Sequence, residues 1–281
     1  MRLAAAALDA TALLFYADRA GFLKRAGLAA DVQAMSSGGA VTIAVVGGAV
    51  DVGCGEMVAL ILAYHRGIPL TLVAPGSLYT AKAPVGMLFA RNDLTVTSGA
   101  DFNGKTIAVV GVGGFAQFGT QLWIDTNRGD SKTVKFVPLA APQIAVALAD
   151  GRVDGAYVPE PFVAVVRKSA RVVTDSMSAI ASQFYAGAHF ALMPYANGHV
   201  DDVRRLRGAL SAAATWTNAN QEQTALILEQ ISGLSPAMLA DAKRAVWAPA
   251  FDPALLQPII DLTARYGNVP TFPASQLIYR A

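Results

Sequence analysis

Apolar residues in this chain come in short runs separated by Gly, Pro, Asp and Ser. That pattern predicts strands alternating with helices. One stretch sets the plan: residues 48–60, GAVDVGCGEMVAL. It follows a helix-like apolar run at 41–46 and contains a short buried strand at 50–53. The chain then turns at Cys54-Gly55 and opens a second apolar helix from Glu56 to about residue 65. In such a unit the strand's C-terminal end and the next helix's N-terminus face the ligand side of the sheet.

The unit occurs twice. Residues 151–165 read GRVDGAYVPEPFVAV, after a helix-like run at 144–148, and Gly48-Ala49-Val50-Asp51 lines up with Gly151-Arg152-Val153-Asp154. Glu56 follows its Asp by five residues and Glu160 follows its own by six. Two copies of one unit imply two similar lobes whose ligand-side ends face each other across a cleft.

The remaining pattern fits around these copies. A strand is predicted at 2–8, a helix at 13–25 capped by Thr11 and interrupted at Gly21, a strand at 28–35 and a strand at 69–74. Ser36-Ser37-Gly38-Gly39 opens the helix that leads into the first unit. Extended apolar segments at 84–90 and 189–193 are expected to carry the chain from one lobe to the other and back. Between them lie predicted strands at 106–110 and 132–138, a helix from Phe115, and a short strand at 172–173. The C-terminal part is helical: 199–219 with Val203, Leu206, Leu210 and Ala214 on one face, then a helix capped by Asn220, two Pro-started helices at Pro236 and Pro253, and an end at Gly267. The expected division is 1–85 with 194–281 in one lobe and 86–193 in the other.

Composition narrows the possibilities. The 281 residues are 54% hydrophobic and 15% charged, ample for a buried core, and suited to parallel sheets covered on both faces. Mean hydropathy is +0.41, yet no uninterrupted apolar run reaches membrane-spanning length. A net charge of +2, with no basic cluster, gives no basis for binding nucleic acid. Cys54 is the single cysteine, so there is no internal disulfide and no cysteine-based metal site, and His65, His189 and His199 show no ligand spacing. No metal, cofactor or catalytic group is expected. The N-terminal MRLAAAALDA reads as a first strand, its apolar run being too short for a signal peptide.

Four elements, in order, carry a resemblance. GFLKRAGL (21–28), AVDVGCGE with HRGIPL (65–70), DFNGKTIAV (101–109) and GRVDGAYVPEPF (151–162) resemble the motifs of NMT1/THI5-like, SsuA/TauA-type solute-binding proteins of ABC importers. The resemblance spans nearly the whole chain. It implies the type II periplasmic-binding-protein fold: α/β, two Rossmann-like lobes joined by two crossing strands, with the ligand cleft between them. It also implies a monomer that binds a small molecule, a partner ABC transporter permease, and a periplasmic location with any signal peptide removed. The family also includes THI5-type pyrimidine synthases, which rely on a cysteine-rich motif that one cysteine cannot supply. A LysR-type effector region is a third relative in outline, one that would need an N-terminal helix-turn-helix.

Candidate ligand-binding residues follow from the predicted ligand-side ends. Ser37 and Gly38, and Gly113, Gly114 and Phe115, open two helices whose free N–H groups favour anions. Glu56 and Glu160 stand at or before helix starts, where the helix dipole stabilises a carboxylate whatever its function; a ligand N–H is an alternative partner for Glu56. Tyr157 and Phe115 suit a flat or apolar group, with core packing as the competing reading. Thr11, Ser77 and Cys54 complete the set. The ligand is expected to be an organic anion such as a sulfonate or carboxylate, or a pyrimidine-like heterocycle.

Overall fold

The computed structural model describes residues 1–280. The first strand, β1 (Arg2–Ala6), is a run of alanines buried between layers. It ends before the predicted residue 8 because the Leu8 N–H turns back to the Ala6 carbonyl. The predicted helix 13–25 is split into α1 (Leu13–Arg19) and α2 (Phe22–Arg25) at Gly21, whose φ of 77° ends the first piece. Next come β2 (Asp31–Met35), α3 (Gly38–Val46), β3 (Val52–Glu56), α4 (Met57–His65) and β4 (Leu70–Pro75).

Here the first unit differs from expectation. Cys54 and Gly55 do not form a turn; they lie inside β3. The small residues serve packing. A Cβ on Gly53 would stand 2.5 Å from Val41 Cγ1, and one on Gly55 3.0 Å from Leu60 Cδ2. So α3 and α4 lie directly on the strand.

The chain then runs through β5 (Ser77–Thr80), β6 (Gly86–Arg91), β7 (Thr106–Val109), α5 (Phe115–Thr126), β8 (Lys135–Pro138), α6 (Ala141–Ala149), β9 (Gly155–Pro159), α7 (Val163–Val166) and β10 (Ala170–Thr174). It returns through β11 (Gln183–Tyr185) and β12 (Gly187–Leu192) to α8 (Met193–Gly198), α9 (Val200–Ala219), α10 (Gln221–Ser232), α11 (Pro236–Ala240), β13 (Val246–Trp247) and α12 (Pro253–Gly267).

The two sheets have the same plan. The first has the order β2-β1-β3-β12-β4 and the second β8-β7-β9-β6-β10. In each, four strands run parallel and one is inserted antiparallel beside the strand of the repeated unit. The entering strands, β6 and β12, are the segments 84–90 and 189–193 that the apolar pattern marked as crossings. They are interior sheet strands. A fully apolar run announces burial on both faces but not which sheet does the burying. The chain passes between the lobes at β5 and β11, which pair antiparallel with each other and, through β5, with β13. At this crossing Gly76 and Gly187 bring two backbones together: a Cβ on Gly76 would lie 2.6 Å from the Gly187 carbonyl oxygen.

The repeated Asp has a definite role. Asp51 Oδ2 accepts the Arg2 N–H at 2.7 Å, and Asp154 Oδ2 accepts the Thr106 N–H at 2.9 Å. Each therefore ties the start of its unit to the neighbouring parallel strand, at the end of the sheet away from the cleft.

The first sheet is covered by α1 and α9 on one face and by α3, α4 and α12 on the other. On α9, Val203, Leu206, Leu210 and Ala214 are all buried, as their spacing predicts; each Leu contributes roughly 1.5–3 kcal/mol by leaving water. Asn220 does not cap α10, since its side chain donates to the Trp216 carbonyl. Helix α12 includes Gly267 and ends at Asn268, whose φ is 53°.

Candidate functional site

The ligand-side ends of the two sheets meet. Glu56 closes β3 and starts α4, and its Oε1 accepts the Val58 N–H at 3.0 Å. The same carboxyl stands against the start of α5, which belongs to the other lobe. A Cβ on Gly114 would stand 3.3 Å from Glu56 Oε2, so the glycine permits this approach. The second unit reciprocates. Glu160, just after β9, lies near Lys243 of the segment between α11 and β13, and its Oε2 is buried without a partner.

That segment is held from the first lobe too. Arg244 donates to both oxygens of Asp9, at 3.0 and 2.8 Å, and the Ala245 N–H donates to Asp9 Oδ2 at 2.7 Å. Tyr16 donates to Asp9 at 2.9 Å. Residues 243–245 thus bridge the mouth between Asp9 and Glu160. None of Asp9, Lys243 or Arg244 stood out in the sequence, because a distant Asp and Arg carry no spacing signal.

The other sequence candidates divide. Phe115 stands beside Tyr157 and Phe184, with ring centroids 6.3 and 5.8 Å away. Tyr157 is buried, its hydroxyl against Gly86, where a Cβ would be 2.3 Å away. Ser37 caps α3, its Oγ accepting the Ala40 N–H at 3.2 Å, and Gly38 opens on empty space. The Gly113 N–H is taken by Gln117 Oε1 at 2.8 Å. Thr11 does not cap α1; its hydroxyl donates to the Ala6 and Leu8 carbonyls and fixes the turn. Ser77 is buried at the crossing. Cys54 does not line the cleft. It faces the core with Leu3 and Leu13, and burial pushes its thiol up to about 12, which leaves no thiolate for chemistry near neutral pH. Exposed apolar side chains sit instead at the strand ends, Leu8 after β1 and Val110 and Val112 after β7. Among the described residues no group of three His, Cys, Asp or Glu is placed to hold a metal ion, and no helix is long and apolar enough to cross a membrane.

Burial pushes the Glu56 carboxyl up to about 7, against the opposing pull of the Val58 and Phe115 N–H groups. Burial also pulls His189, on β12, down to about 4. The two act oppositely on stability. Between pH 4.5 and 7 the folded chain holds a proton on Glu56 that the unfolded chain has released, so stability from this group falls as pH rises. Between 6.5 and 4 the unfolded chain protonates His189 first, so stability from that group falls as pH drops. Each slope is about 1.4 kcal/mol per pH unit. Glu56→Gln removes the first alone. Its stability relative to wild type is expected to fall as urea melts are taken from pH 6.5 down to 4.5, and a difference that stays constant across those melts would contradict the burial of this carboxyl.

Residues 10–224 match the NMT1/THI5 like family. The chain belongs to that family. No curated protein matches it in sequence. Among solved structures, the periplasmic aliphatic sulphonate binding protein SsuA from Escherichia coli superposes with a TM-score of 0.80 at 18% identity, covering 100% of this chain and 92% of that one. The ligand binding component of an ABC-type import system from Staphylococcus aureus, with zinc bound, gives 0.82 at 12% identity, covering 99% and 96%. The desulfurization enzyme DSZB gives 0.69 at 17% identity, covering 99% and 96%. At these identities the likeness is one of fold: this NMT1/THI5-like chain has the two-lobed type II periplasmic-binding-protein architecture.

Proposed function

We propose that this chain is the solute-binding component of an ABC importer, capturing a small organic molecule between its lobes and presenting the closed form to a permease. The observation that carries this reading is the meeting of Glu56 with the start of α5, one side chain and one helix terminus from opposite lobes. A protein whose lobes are linked covalently only through the paired β5 and β11, and otherwise meet through side chains such as Tyr266 on Asp125, has a natural closing motion. In this reading the lobes are residues 1–80 with 183–280, and 81–182. A ligand contributes by binding the closed arrangement more tightly than the open one. The location is extracytoplasmic, as for the periplasmic relatives, and the protein acts as a monomer. The ligand contacts are drawn from Ser37, Gly38, Glu56, Phe115, Tyr157 and Glu160, with Leu8, Val110 and Val112 supplying apolar surface. The buried Cys54 supports binding over catalysis.

Native mass spectrometry of the purified chain, followed by denaturing release, tests this. One small molecule per chain is expected. If the chain arrives empty, a thermal-shift panel of sulfonates, aromatic carboxylates, amines and pyrimidines replaces it; a ligand at 100 times its Kd adds about 2.7 kcal/mol. An empty chain that no compound stabilises would overturn the reading.

A further inference from the structure

Helix α6 repeats helix α3. Both have nine residues, Gly38–Val46 and Ala141–Ala149, and they run at a constant offset of 103 positions, the offset that also aligns Gly48 with Gly151. Each lies on the strand of its own unit and on the inserted antiparallel strand, α3 on β3 and β12, α6 on β9 and β6. The inward positions match: Val41 and Val45 in the first helix, Ile144 and Leu148 in the second, all buried. One outward position matches too. Ile43 is 76% exposed, and its equivalent, Val146, is 54% exposed. Packing requires the inward residues to be apolar, but the solvent face of a surface helix is ordinarily polar. A single exposed apolar side chain has no particular meaning. The same one in both copies does, where the preceding residues have changed from Gly39-Ala40 to Pro142-Gln143. The surroundings are uncharged as well. From Val32 to Val50, and from Phe136 to Ala149, there is no Asp, Glu, Lys, Arg or His.

We propose that Ile43 and Val146 are the paired contacts through which the closed protein docks on its permease, each entering an uncharged apolar hollow on one of two like halves of that partner. This rests on the solute-binding reading above. The two side chains belong to different lobes, so closure changes the distance between them. A partner that tells the closed form from the open one has to touch both lobes at a fixed spacing, and two equivalent side chains let it use one kind of contact twice. A lipid surface would engage either lobe alone and has no use for the match. A second copy of the chain, packed through one of these helices, would leave the other uncovered.

The test places the photo-crosslinker p-benzoylphenylalanine at one position at a time: Ile43, Val146 or, as a control, Leu226 on α10, which is 62% exposed. The full chain as purified is irradiated with membranes of the producing organism, and its products are identified by mass spectrometry. Positions 43 and 146 are expected to label membrane proteins of several apolar spans from one transporter complex, and position 226 none of them. With the crosslinker at 43, Val146→Lys is expected to lower the yield about tenfold, because docking would bury an unpaired charge. Ile43→Lys is expected to do the same with the crosslinker at 146. Both positions are open to water, so neither lysine disturbs the core, and an unchanged urea midpoint checks this. A yield that ignores the lysine on the other lobe would overturn the pairing, since a merely exposed residue reports only its own surroundings. Labelling of a second copy of the chain, or of lipid, would overturn it too. So would the absence of any multi-span protein from 43 and 146. In that case, transporter labelling from position 226 would leave the solute-binding reading standing, whereas an empty chain that no compound stabilises would take that reading down as well.

Discussion

Asp9→Ala is expected to destabilise the protein by about 3–5 kcal/mol, the range for removing one partner of a buried ion pair. The Arg244 side chain is 8% exposed and that of Asp9 21%, so the guanidinium left behind has little access to water. It would retain only the Tyr16 hydroxyl and the Gln221 carbonyl. The Ala245 N–H and the Tyr16 hydroxyl would also lose their acceptor. The double variant Asp9→Ala, Arg244→Met should recover much of the loss, because the stranded charge is gone. Urea unfolding of the four proteins of this cycle measures the coupling. Independent, additive losses would show that the pair is not a unit.

Gly76→Val is expected to destabilise by about 3 kcal/mol or more, at the upper end of overpacking effects. The added Cβ would press on backbone, 2.6 Å from the Gly187 carbonyl oxygen and 2.9 Å from the Ala188 nitrogen, and backbone cannot rotate away as a side chain can. The site is the junction where both crossing segments meet, so relief would come only by separating them. Gly208→Ala, in the middle of α9 with nothing near its Cβ, is the control. It should be neutral or stabilise by up to about 1 kcal/mol, since alanine favours helix over glycine. If the two substitutions have equal effects on the urea midpoint, the close approach at the crossing does not constrain the fold.

The doubling of the fold was legible because both copies must begin a strand beside a parallel neighbour. Asp51 and Asp154 perform that task with the same hydrogen bond, so selection for one geometry leaves one signature, G-x-V-D. The α9 face was legible for a similar reason, its burial following from helical spacing alone. Cys54-Gly55 misled because small residues serve equally for a turn and for a strand under closely packed helices. The crossing segments misled because β6 and β12 are as apolar as connectors buried between lobes would be. Of the site, Glu56 and the Gly114-Phe115 helix start could be picked out by their position after strands. That they touch each other could not, because the contact joins residues from different lobes. Asp9 and Arg244, 235 positions apart, left no local trace at all.

The placement of β12 has one more consequence. In the first sheet β3 and β4 do not pair with each other; β12 stands between them and bonds to both. That strand lies beyond the whole second lobe in the sequence, so a chain emerging from the ribosome has made every residue of the second lobe before the first sheet can close. Any truncation before residue 187 leaves β3 and β4 with facing rows of unpaired N–H and C=O groups and a gap one strand wide.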